Sequence, residues 1–139
     1  MAKYSSSSVS VVIDNSSGSG VNLTQYIQTI GGFDIEAQTE ESHSFGDSWV
    51  ENLATGIRRG SDLVIGGIYD DTSTTGPDAI LNAVASAPST STRTVVLTYG
   101  GSKTSTFEAN ILRYNRTPVR NELTKFECTL QVTGAVTEA

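Results

Sequence analysis

The stretch from Leu123 to Thr133 constrains this chain most. Phe126, Cys128, Leu130 and Val132 fall on alternate positions, with Lys125, Glu127, Thr129 and Gln131 between them. A period of two puts one set on each face of an extended strand, and a helix cannot gather such a set into one stripe. The same period recurs through Val9, Val11 and Ile13, and Asp62 to Asp70 resumes a strand pattern through the apolar Leu63, Val64, Ile65, Ile68 and Tyr69. Two further strands, Arg93 to Tyr99 and Lys103 to Tyr114, flank Gly100–Gly101, a hairpin-turn dipeptide. Phe33 and Ile35 alternate with Asp34 and Glu36, giving a strand with one apolar and one carboxylate face.

One helix is expected, over Pro77 to Ala87. Gly76 can stand at the cap, Pro77 suits the first helical position, and Asp78 favours the positive end of the dipole. Ile80, Leu81 and Val84 form a narrow apolar stripe, and Pro88 stops the helix. Tyr26, Ile27 and Ile30 can open a further helical turn, which Gly31 and Gly32 would break. The order is about six strands with one helix inserted, which predicts a mostly β domain, a β-sandwich or barrel with a flanking helix. A length of 139 residues suits a single domain spanning 1–139. Residues 1–8 are polar and Ser-rich and are expected to be loose. Eighteen Ser, eighteen Thr and thirteen Gly suit short strands with polar outer faces and many turns.

The segment from Thr39 to Gly60 shows no sustained period and reads as a long loop. Loops of this length inside a compact domain are functional or disordered. Phe45, Trp49, Val50, Leu53 and Ile57 are too apolar for solvated disorder. The segment therefore reads as an arm ordered against another surface, with Phe45, Trp49 and Leu53 as anchors in a neighbouring subunit; the alternative folds Trp49 back on its own domain.

Catalysis is poorly provided for. Phe45-Gly46-Asp47-Ser48 resembles the nucleophile block of GDSL-type esterases, which need a base to take the serine proton and a carboxylate to orient that base. The single histidine, His43, lies five residues before Ser48, and no α/β pattern surrounds it. One His and one Cys far apart offer no transition-metal spacing, and no cofactor is expected. Cys128 sits in the apolar set of its strand and reads as a core residue. Asp62, Asp70 and Asp71 lack the alternating oxygen ligands of a calcium loop. A net charge of −6 opposes tight binding to a nucleic-acid backbone, and Arg58–Arg59 is the one basic pair. No apolar run is long enough to span a bilayer, so no membrane partner is expected.

Gly46-Asp47-Ser48-Trp49, then Gly56-Ile57-Arg58-Arg59-Gly60-Ser61, then the strand Asp62 to Asp70 fall in the order used by tail tube subunits of long-tailed, siphophage-like bacteriophages. The Pro77 helix, the Tyr99-Gly100-Gly101 hairpin and the last strand follow in the same order, so the chain resembles that family from Val9 onward. The resemblance implies a structural, non-enzymatic subunit: β-sheets with a flanking helix, six copies in a ring, and rings stacked into a tube whose lumen conducts DNA during ejection. It implies residence in the virion tail after assembly in the host cytoplasm, beside tape-measure and terminator proteins. The long loop would reach a neighbouring subunit through Phe45, Asp47, Trp49, Leu53, Arg58 and Arg59. Asp34, Glu36, Asp62 and Asp70 would face the lumen, where fixed carboxylates repel DNA over about 8 Å at physiological salt. Competing readings are a tail terminator, a head decoration protein, a contractile or type VI-like tube subunit, and a small β-sandwich binding module.

Overall fold

The computed structural model describes residues 3–15, 18–31, 33–82 and 92–139. Nine strands and one α-helix are present among them: β1 (Ser10–Asp14), β2 (Gly20–Asn22), β3 (Ile27–Ile30), β4 (Ile35–Ser42), β5 (Glu51–Gly60), β6 (Leu63–Ile68), α1 (Pro77–Leu81), β7 (Arg93–Gly100), β8 (Lys103–Thr117) and β9 (Lys125–Glu138). Seven of the strands make one antiparallel sheet in the order β2-β1-β7-β8-β9-β6-β3. The sheet curls into a half-barrel. β4 and β5 pair only with each other.

Alternation decides which face is concave. Val11, Ile13, Leu63, Ile65, Val95, Leu97, Phe107, Ala109, Phe126, Cys128 and Leu130 form the core, none more than 3% exposed. The residues between them, such as Thr129 and Gln131, face outward. Phe33 reaches into this interior and stacks on Phe107, ring centroids 4.8 Å apart. The predicted core set of the last strand is therefore observed, Cys128 included, and burial pushes its thiol up to about 12.

Pro77, Ile80 and Leu81 of α1 are buried against one end of the half-barrel. The Arg116 guanidinium pins this helix to β8, donating from two nitrogens to the Asp78 carboxylate at 2.8 and 2.9 Å. The predicted continuation of the helix through Val84 to Ala87 lies outside the described residues.

Two expectations about local structure are corrected. Residues 39–60 are not a loop: they complete β4 and form β5, leaving only 43–50 as the connection. Neither face of this hairpin is buried, so nothing required its residues to alternate. A bulge between Ala37 and Thr39, with Gly56 at φ +83°, also shifts the period midway. At the N-terminal side, residues Ser6–Ser8 form a 3₁₀ turn, and the Tyr4 ring lies on Gly100 and Gly101. A side chain on Gly101 would come within 2.6 Å of the Tyr4 hydroxyl, so two glycines make the flat seat for the ring. The last strand runs beyond Thr133 to Glu138 by bulging at Gly134, where φ is +76°.

Candidate assembly interface

The hairpin β4–β5 is the part of the molecule that its own chain does not explain. All eight residues of β4 are exposed, and all of β5 except Gly60. Isolated two-stranded hairpins are marginal in water, and beyond its root this one gains little packing from the rest of the described residues. Its root is fixed by backbone and packing. Ser61 donates its N–H to the Asp34 carbonyl at 2.9 Å, and Asp34 donates its N–H to the Ser61 hydroxyl at 3.1 Å. Gly60 lies against Val132 and Val136 of β9, where a Cβ would approach Val132 to 2.8 Å. Beyond the root an open cleft of about 650 Å³ separates Gly56, Arg58 and Arg59 from the last turns of β9, Gly134 to Glu138.

The tip is closed by a polar turn: Ser44 donates its N–H to the Asp47 carboxylate at 2.7 Å, and Asp47 returns its N–H to the Ser44 carbonyl at 3.0 Å. This turn holds the aromatics out. Phe45 and Trp49 are fully or nearly fully exposed, at 112% and 86%, with Val50, Leu53 and Ile57 also exposed. Trp49 does not pack on its own domain. Burying such side chains is worth roughly 1.5–3 kcal/mol each.

Of the site residues read from the sequence, Phe45, Asp47, Trp49 and Leu53 share the distal half of the arm, whereas Arg58 and Arg59 stand at its root. Register puts Arg58 opposite Ala37 and Arg59 opposite Glu36. The four acids do not form one patch. Asp34, Glu36 and Asp62 gather at the arm root. Asp70 lies beyond the other end of β6, past Ile68, which pairs with Lys125. There its carboxylate accepts both the Thr72 hydroxyl and the Thr72 N–H, which hold it below the usual carboxylate range.

A second exposed surface lies where β8 gives way to β9. Around the β8–β9 connection, Leu112, Val119 and Leu123 are exposed at 47, 49 and 67%. Arg113, Arg120 and Lys125 are exposed among them. Leu112 points outward because β8 bulges between Ile111 and Arg113. The available signal was charge: four of the nine Lys and Arg residues fall between 113 and 125 of a chain with net charge −6.

Ser48 and His43 both lie in the arm-tip connection, and Cys128 is buried. No group of three or more His, Cys, Asp or Glu is placed to hold a metal ion among the described residues.

A curled antiparallel half-barrel with an end helix and a projecting two-stranded arm defines a β scaffold whose main unsatisfied surface is a hairpin. Among solved structures it is the tail tube fold. A chain from the six-fold symmetrised baseplate of the anti-feeding prophage aligns at TM-score 0.78, with 15% identity over 100% of this chain and 97% of that one. A chain from the tail of an empty gene transfer agent particle, refined with C6 symmetry, aligns at 0.75, with 15% identity and 99% of both chains covered. The SPP1 tail tube aligns at 0.70, with 14% identity over 98% of this chain and 78% of that one. No protein-family model and no curated protein sequence matches this chain.

Proposed function

We propose that this chain is the structural subunit of a phage-type tail tube. Six copies close into a ring, rings stack, and DNA crosses the lumen during ejection. The observation that carries the reading is the arm: strands exposed along nearly their whole length, tipped by Phe45 and Trp49, on a fold shared with tail components. A lone domain gains nothing from such a hairpin, whereas a neighbour that buries it removes both the apolar exposure and the free strand edges. The role is non-catalytic. Tape-measure and terminator proteins are the partners it implies, and the virion tail is its place, reached from the host cytoplasm. Asp34, Glu36 and Asp62, at the arm root, are the acids assigned to the lumen side.

A tube inside a contractile particle is the second reading, since a sheath–tube complex of an extracellular contractile injection system aligns at TM-score 0.67. Size exclusion followed by negative-stain imaging tests the proposal. The purified chain should elute far above its 14.7 kDa and show rings or tubes about six subunits around. A species that stays monomeric at every concentration and salt condition would overturn it.

A further inference from the structure

We propose that the arm has a second position, closed on the end of β9 and latched when the Glu138 carboxylate leaves Ser105 for the Arg58 guanidinium. The device belongs to the single chain and works whether or not copies assemble. Register decides which residues face the cleft between β5 and β9. Ile35 pairs with Gly60 and Ala37 with Arg58, with no shift between them. Cross-strand partners share a face, as do residues two apart on one strand. Gly60 is aimed at β9, since a Cβ there would meet Val132 and Val136. Ile35, Ala37 and Arg58 therefore face β9, while Glu36 and Arg59 face away. The other wall of the cleft carries Val132, Val136 and Glu138. With Arg59 turned outward, Arg58 and Glu138 are the charged side chains that the two walls present to each other.

Both are free to make the exchange. The one ion pair among the described residues is Arg116–Asp78, so the Arg58 guanidinium has no carboxylate partner. The Glu138 carboxylate accepts the Ser105 hydroxyl at 2.8 and 2.9 Å, and Ser105 in turn accepts the Tyr99 hydroxyl at 3.0 Å. The backbone beneath Glu138 is pinned separately, because Thr104 and Ala139 exchange N–H to carbonyl bonds at 3.1 and 2.9 Å. Glu138 can thus turn its carboxylate across the cleft without fraying the strand. Gly60 rests on Val132 with no side chain between them, so the hairpin can tilt there while Ser61 and Asp34 hold its root. Closure replaces a neutral donor by a guanidinium, which makes the stronger bond. It also covers Ile35, now 46% exposed, with Val132 and Val136. Opposing it are the buried Ser105 hydroxyl, which loses its acceptor, and the desolvation of the new ion pair. Terms of similar size and opposite sign leave both positions populated.

Pulsed electron paramagnetic resonance tests the latch. Spin labels go on Ser48→Cys at the arm tip and Lys103→Cys on the body, with labelled chain diluted into excess unlabelled chain so that distances between copies drop out. The buried Cys128 thiol does not compete for label. Two distances are expected. Ser105→Ala should raise the ratio of short to long about fivefold, the worth of one intramolecular hydrogen bond. Arg58→Glu should abolish the short distance, and the swap R58E/E138R should restore it, which keeps the test independent of Ser105. A single distance that none of these variants changes would overturn the proposal, as would a short distance that survives Arg58→Glu or that the swap fails to bring back. The tube reading is untouched by any of these results, because it is read from assembly and not from the arm's angle.

Discussion

Single residues show where chain geometry leaves no freedom. Gly67 in β6 faces the Tyr26 carbonyl oxygen, which a Cβ would approach to 1.9 Å. The neighbour is backbone and cannot swing aside. Gly67→Ala should therefore cost at least about 3 kcal/mol in urea unfolding, at the upper end of overpacking costs. Gly46→Ala, with open space around it, should change stability by less than about 0.5 kcal/mol. Cys128 gives a pH dependence. The unfolded thiol ionises from about 8.5, whereas burial holds the folded thiol neutral to about 12. The raised folded value makes the contribution complete below 8.5 and lost progressively as pH rises toward 12. Stability should fall by about 1 kcal/mol per unit above pH 9, and Cys128→Ala should flatten that slope between pH 8.5 and 10. At this scale the sequence was readable wherever a face is buried: Phe126, Cys128 and Leu130 alternate because the core demands it. The capture of the Asp70 carboxylate by Thr72, two residues on, is local turn chemistry that strand periodicity does not reveal.

Elements were legible in proportion to how much of them is buried. β7, β8 and the first half of β9 carry clear alternation. The arm does not, because both of its faces are wet and its bulge shifts the register between Ala37 and Thr39. β9 outran its expected end because Gly134 resembles a stop, yet it serves as a bulge in a strand that continues. The arm's independence from the core yields a prediction. Joining Ala37 to Arg58, which already pair, through an Asn-Gly turn removes the distal arm and preserves the root. The body should then melt within about 4 °C of the unmodified chain, since no core residue is lost. Assembly into high-mass species on size exclusion should disappear. Assembly that survives this deletion would remove the arm from the interface.

For the whole molecule, the half-barrel fold could be anticipated as mostly β with one flanking helix, but the number of sheets could not. Alternation says which residues share a face; it does not say whether a sheet curls on itself or packs on another. Here the long β8–β9 ribbon, bulged at Leu112 and at Gly134, bends enough for one sheet to enclose its own core. The chain's net charge of −6 also belongs to this scale. Assembled particles should leave duplex DNA unretarded in a gel-shift experiment at about 0.15 M salt, where fixed charges act over about 8 Å. Firm retention would mean that basic residues, not acids, dominate the surface that the DNA reaches.

The arm leaves the body at one end only, and this has a consequence for termination. A growing stack would have two unlike ends, one offering projecting hairpins with free aromatics and the other offering none. One kind of cap cannot close both. The factor that starts such a stack and the factor that stops it must therefore be different molecules, each imitating the half of the contact that the end in front of it lacks.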